Sequence, residues 1–378
     1  MTDRWPDKTI IGLTGNIATG KSVVRRMLEH LGAFTIDADQ LTHRAMAPGA
    51  PAYLPVVQMF GRWILDPDGR INRQRLGRVV FSDPEALAIL EGIIHPIVRQ
   101  VINLLIRRAK QRVVVVEAIK LIESGLADSV DSLWVVDAPR EVQIQRLTEK
   151  RGMAHADAEQ RVAVQPEQTR KLARADVVLD HGGGVERTYN QVSRAFHLLI
   201  GQDEPAEEPA ELASPGQLII RRGTPRHATQ LAEFLNRMLD GSKLDRDAIM
   251  LRFGEKAYMM ALGAESIVAL AGWQVENLIT RVDEFVVDSR VKPDEVVPAL
   301  IEHVEGAARD LQSEIALLFL RADSPAAVRD AVLAAGYEVK TLEELRVPDW
   351  REAARQSAPP NSVMTVKRLR EDRVLKPI

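Results

Sequence analysis

Residues 15–22 read "GNIATGKS", a Gly-x4-Gly-Lys-Ser pattern set between the β-branched run "TIIGLTG" and the helical run "SVVRRMLEHLG". A strand, a glycine-flanked loop and a helix in that order make a phosphate cradle. Gly15, Asn16, Ile17, Ala18, Thr19 and Gly20 turn backbone N–H groups inward, and the helix offers its positive end to the anion. Lys21 then reaches the terminal phosphates, and the Ser22 hydroxyl is the candidate ligand for Mg²⁺. The chemistry expected from this pattern is binding of a nucleoside triphosphate such as ATP.

A cradle does not specify the reaction, so the acceptor side must come from other residues. The next apolar run ends in "IDADQLTHR", where Asp37 and Asp39 lie two apart and point the same way if the strand continues. One carboxylate would orient or deprotonate an acceptor hydroxyl, and the other would hold a magnesium-bound water. Farther along, Arg146, Arg151, Arg161, Arg170 and Lys171 fall in polar helical sequence suited to a lid over a polyphosphate. His95 sits among apolar neighbours, and Arg99, one helical turn on, is the stronger anion contact.

These residues need elements to bring them together. "TIIGLTG", "AFTID", "RVVVVEA", "SLWVVDA" and "ADVVLD" are short apolar strands alternating with helical stretches, the pattern of a parallel sheet covered on both faces. "YLPVVQMFG" and "DPEALAILEGIIHPIVRQVINLLIRRAK" read as a helical insertion. Residues 201–216 carry five acidic residues, three prolines and no basic residue, and are expected to be an extended linker. The expected organisation is therefore 1–200, a linker at 201–216, a second domain at 217–346 and a C-terminal extension at 347–378, which reads as loop with one strand, "SVMTV".

Composition narrows the class. With 378 residues the chain has length for two or three domains, and with no Cys it excludes disulfide staples, Cys-ligated zinc and a thiol nucleophile. Its 50 Lys and Arg against 53 Asp and Glu give a net charge of −3, which argues against a nucleic-acid-coating protein. The histidines form no ligand-spaced cluster. No uncharged apolar run approaches the ~20 residues that cross a bilayer, so a cytoplasmic protein with no membrane partner is expected.

The stretches "IGLTGNIATGKS", "FTIDADQLTHRAMAPG", "FGRWILDPDGRINRQRLGRVVFSDPEALAILEGIIHP", "LWVVDAPREVQIQRL", "RVAVQ" and "ADVVLDHGG" together resemble the dephospho-CoA kinase family over about residues 10 to 200. The resemblance implies a P-loop, nucleoside-monophosphate-kinase-like α/β fold with a helical insertion and a lid. It implies ATP-dependent phosphorylation of the 3′-hydroxyl of dephospho-CoA, the last step to coenzyme A. It favours Asp39 as base, with Asp37 in support, and keeps His95, Arg99, Arg146 and Arg161 as substrate or charge-stabilising candidates. The residues alone leave two alternatives open: a kinase for another nucleoside-like hydroxyl, or a nucleotide-binding module without transfer. Three departures stand out. Asn16, Ala18 and Thr19 replace small residues of the usual "GGIGSGKS", "AIKLIES" stands for "PLLFE", and His181 takes the place of an Asn.

The second half reads strand–helix, three strands, helix, strand, helix, strand, an order that resembles the Gcn5-related acetyltransferase fold. In that family a glycine-rich turn after the fourth strand binds pyrophosphate. The corresponding "VVDSRVKPDEV" has no glycine. A second α/β domain of acetyltransferase-like fold, degenerate as a catalyst, is the expectation.

Overall fold

The computed structural model describes residues 5–165, 168–202, 217–239, 241–264, 266–276 and 278–371. Most of the expected linker therefore lies outside the described residues. The chain divides into two compact units, one taking 5–21 and Ala33–Val178, the other Ser22–Gly32 and Leu179–Glu371.

The first sheet has five strands: β1 (Thr9–Thr14), β2 (Phe34–Asp37), β3 (Val113–Glu117), β4 (Ser132–Asp137) and β5 (Val177–Asp180), in the order β2-β3-β1-β4-β5. β1 pairs in parallel with β3 and β4, and β2 in parallel with β3. All five residues of β3 are buried. That is why its first four residues are a continuous valine run, each fully buried Val contributing roughly 1.5–3 kcal/mol, while buried Glu117 ends the strand. Fully buried Trp134 keeps its indole N–H satisfied on Ser132 Oγ at 2.9 Å.

Helices follow the strands in turn: α1 (Lys21–His30), α2 (Ala38–Ala45), α3 (Tyr53–Phe60), α4 (Arg73–Val80), α5 (Pro84–Arg108), α6 (Arg140–Arg151), α7 (His155–Ala163), α8 (Gln168–Leu172) and α9 (Val185–Ile200). α3, α4 and α5 form the expected helical insertion. α5 is long and apolar enough to cross a membrane, a property that the run-by-run sequence reading does not reveal. Its buried Leu90, Ile94, Val98 and Ile102 recur every four residues, and it packs on α2, α3 and α4, so the stripe is a core face.

The second sheet has seven strands: β6 (Ile219–Gly223), β7 (Ala257–Leu262), β8 (Ile267–Glu276), β9 (Ile279–Val287), β10 (Ile315–Arg321), β11 (Glu338–Val339) and β12 (Ser362–Arg368). Their order is β11-β12-β10-β9-β8-β7-β6, antiparallel except for the β9–β10 pair. Its helices are α10 (Ala228–Met238), α11 (Arg246–Phe253), α12 (Pro293–Asp310), α13 (Ala326–Ala334) and α14 (Pro348–Ser357). Alternation along β8 sends Ala269, Ala271 and Trp273 into one core with α12 and α13, and Leu270 into another with α10 and α11. This mixed α/β architecture agrees with the expectation of a second α/β domain.

The region expected to be an extension differs. Residues 348–357 form α14, whose Pro348 occupies the first turn, where its missing N–H costs nothing. Ala353 and Ala354 are buried against Ile315, Leu317 and Phe319. β12 lies between β10 and β11 and pairs with β10 across seven residues, so this segment is interior to the sheet.

Candidate active site

Parallel register gathers the C-terminal ends of the first sheet at one edge. Leu13 lies opposite Glu117, Glu117 opposite Asp37, and Thr14 opposite Val135. The loop 15–20 leaves β1 from that edge. Gly15 has φ +152°, and a Cβ there would come within 2.4 Å of the Val136 carbonyl oxygen, so no side chain fits. Ala18 is in the left-handed region at φ +58°, which helps turn successive N–H groups to one side as an anion nest. Buried Lys21 folds back on the loop, its Nζ donating to the Asn16 carbonyl at 3.0 Å. Ser22 is exposed in the first turn of α1.

Two side chains brace this loop from behind. Half-buried Arg146 donates through Nη1 to the carbonyls of Ala18 at 3.1 Å and Thr19 at 3.2 Å, and burial lowers its pKa from the ordinary value. Gln168 accepts the Asn16 N–H at 3.1 Å while its own amide donates to the Val136 carbonyl at 3.0 Å and Asp137 Oδ1 at 3.2 Å. The apolar side of the loop, Ile17 and Ala18, rests on Ile144, Leu147 and Ala158. Gln168 was not among the expected site residues. An uncharged amide in a polar helical stretch carries no signal in sequence.

The carboxylates are arranged differently from the alternating-strand expectation. β2 ends at Asp37 and α2 begins at once, so the two side chains do not share a strand face. Asp37 caps α2, its Oδ1 accepting the Gln40 N–H at 2.9 Å, which is the ordinary task of Asp at a helix start. Asp39 lies in the first turn of α2, half-buried, with Oδ2 accepting the Ile119 N–H at 3.0 Å. Among the described residues its Oδ1 takes no hydrogen bond.

The remaining candidates are placed apart from the cradle's hydrogen bonds. Exposed Arg99 donates through Nη2 to the Ser124 carbonyl at 2.5 Å and so holds the "AIKLIES" segment. His95 is half-buried on α5 and Arg161 exposed on α7, each without a side-chain hydrogen bond among the described residues. The side chain of Arg151 lies outside the described residues. His181 is buried with Nδ1 2.8 Å from Thr188 Oγ1, a packing role. Among the described residues no three His, Asp or Glu gather as a metal cage.

The family model described as dephospho-CoA kinase matches residues 9–187. The dephospho-CoA kinase of Geobacter sulfurreducens is 45% identical over 190 residues, which cover 50% of this chain and 96% of that protein. A solved structure, TT1252 from Thermus thermophilus, is 31% identical with a TM-score of 0.46, covering 51% of this chain and 97% of that one. The Escherichia coli ribosomal-protein-S18-alanine N-acetyltransferase is 14% identical with a TM-score of 0.32, covering 42% of this chain and 97% of that one.

Proposed function

The chain belongs to the dephospho-CoA kinase family, and from that membership we infer which of its residues carry the ATP-dependent phosphorylation of dephospho-CoA. The enzyme transfers the γ-phosphoryl group of ATP to the ribose 3′-hydroxyl, giving coenzyme A and ADP. The kinase part is the region up to Ile200, and the part from 217 onward is an acetyltransferase-like domain that shares its compact unit with Ser22–Gly32 and the stretch after Val178.

The observation that supports this reading is one sheet edge presenting both a phosphate cradle and a carboxylate with a spare oxygen. Apart from the Asn16 N–H, which Gln168 accepts, the loop N–H groups and the Lys21 ammonium meet the charge that spreads over the transferring group, the main demand of phosphoryl transfer. Asp39, steadied on Oδ2, uses Oδ1 to orient the acceptor hydroxyl and take its proton as the new O–P bond forms and the bond to ADP breaks. Arg146 and Gln168 hold the cradle in shape. Asp37 acts through helix α2, and His95, Arg99 and Arg161 belong to acceptor binding and closure. Mg²⁺ suits such a loop, because it takes one or two protein oxygens and completes its shell from phosphates and water. Ser22 is the residue that would hold it, and once bound it would neutralise phosphate charge.

Two substitutions separate the roles. Lys21→Ala is expected to lower turnover at least about 100-fold, the scale of losing a preorganised donor to developing charge. Asp39→Asn is expected to lower kcat by about 100-fold or more while equilibrium ATP binding stays near wild type. Wild-type turnover in folded K21A, or an ATP-binding loss in D39N equal to its kcat loss, contradicts the assignment.

A further inference from the structure

Sequence groups Lys171 with the lid cations, yet the structure buries it at 2% exposure on α8. Its Nζ donates to the Ile119 carbonyl at 2.7 Å, and Thr14 Oγ1 donates to the same oxygen at 3.1 Å. The N–H of that same residue donates to Asp39 Oδ2 at 3.0 Å. The backbone of Ile119 is thus clamped between a buried ammonium on one side and the acceptor-side carboxylate on the other. A residue needed only to fill this space would be apolar, since a buried charge is tolerated only where its partners repay the loss of water. Burial lowers the Lys171 pKa, with the charges of Glu123 and Asp39 opposing that shift and Lys21 adding to it, so Lys171 is electrostatically in touch with both reacting sides.

We propose that Lys171 is a positioning residue for phosphoryl transfer: its grip on the Ile119 carbonyl fixes the backbone that aims the Asp39 carboxylate at the acceptor hydroxyl. The proposal rests on the reading of Asp39 given above. The hydrogen bond of Lys171 Nζ to the Ile119 carbonyl is the contact through which it acts.

The test is a double-mutant cycle in the full-length protein, with kcat, KM for ATP and KM for dephospho-CoA measured for wild type, K171M, D39N and K171M/D39N. K171M is expected to lower kcat about 10- to 100-fold, the scale of a lost charge-assisted hydrogen bond, with KM for ATP within about two-fold. In the D39N background the same change is expected to cost less than about two-fold, because the group being aimed is already disabled. K171R, which restores a cationic donor, is expected to recover part of the lost kcat. Equal losses in both backgrounds, or a K171M kcat within about three-fold of wild type, overturn the positioning role while leaving Asp39 in place. Wild-type kcat in D39N instead removes the Asp39 reading, and the positioning role with it. If K171M does not fold, K171Q enters the same cycle under the same criteria. Failure of both variants to fold makes Lys171 a structural residue and overturns the proposal.

Discussion

Ala18 shows how much of the site is set by backbone rather than by side-chain identity. Its φ of +58° carries the left-handed penalty of about 1–2 kcal/mol for a residue with a Cβ, offset by the loop it completes. Ala18→Gly is therefore expected to raise stability by about 0.5–1 kcal/mol, read as an upward shift in Tm, with kcat little changed. A lower Tm would mean that the methyl contact with the Ile144–Leu147 cluster outweighs the strain. Gly15, Lys21 and Ser22 are legible in sequence because only a few residue types do their work. Gln168 and Ile119 are not: one is a neutral amide, the other contributes only its backbone, and both matter through partners more than 30 residues away or on another element. The two-residue spacing of Asp37 and Asp39 misleads for a similar reason. Spacing says where side chains point only once the element is known, and a helix cap begins where a strand was assumed to continue.

At the scale of elements, α1 has two duties. Its first residue is Lys21, while farther along it packs within the second unit. Arg26 donates through Nη1 to the Val275 carbonyl at 3.3 Å and through Nη2 to Gln274 Oε1 at 3.3 Å, and pairs with Glu29 at 2.7 Å. His30 Nε2 lies 2.9 Å from the Phe253 carbonyl, which only accepts, so Nε2 carries a proton. Burial, and then the Arg222 guanidinium beside it, push the His30 pKa down to about 3. The unfolded chain, with an ordinary His near 6.5, binds this proton first. The contribution is thus intact above pH ~6.5 and is lost as pH falls toward about 3, at up to about 1.4 kcal/mol per pH unit. His30→Gln keeps a donor without titrating, so denaturant melts from pH 7 to 4 are expected to show wild type losing ground to the variant. A pH-independent difference would contradict the buried neutral ring. Strands of continuous apolar residues and helices with four-residue stripes are readable in sequence, and the five strands of the first sheet follow the runs that announce them. α14 and α11 are not readable in that way. α14 is amphipathic mainly through two buried alanines, and α11 carries buried Ile249, Met250 and Phe253 between charged residues, started by Asp245 accepting the Ala248 N–H at 2.8 Å.

For the whole molecule, the matched 190 residues are 96% of the Geobacter sulfurreducens enzyme but half of this chain. A fragment ending at Ile200 is therefore expected to phosphorylate dephospho-CoA, with a Tm below that of the full chain because α1 loses the partners of Arg26 and His30. An inactive fragment that folds would show that the second domain supplies something to catalysis. In that domain the turn after β9 is filled by its own ions. Asp288, 3% exposed, is held by Arg290 Nη2 at 2.7 Å, which keeps its carboxyl below the usual carboxylate range. A buried negative charge at this turn would repel the pyrophosphate that the resemblance to acetyltransferases leads one to expect there. Mass spectrometry of the domain with acetyl-CoA and an amine panel is expected to detect no acetylated product, and turnover would require an anion site elsewhere. The placement of α1 also bears on how the two halves can change over generations. Exchanging the second half for another domain would leave Arg26 and His30 without the Val275, Gln274 and Phe253 oxygens they now face, on a helix that begins at the phosphate loop. A change in the strands and helices that receive Arg26 and His30 would thus be felt along a helix whose first residue is Lys21 of the phosphate loop.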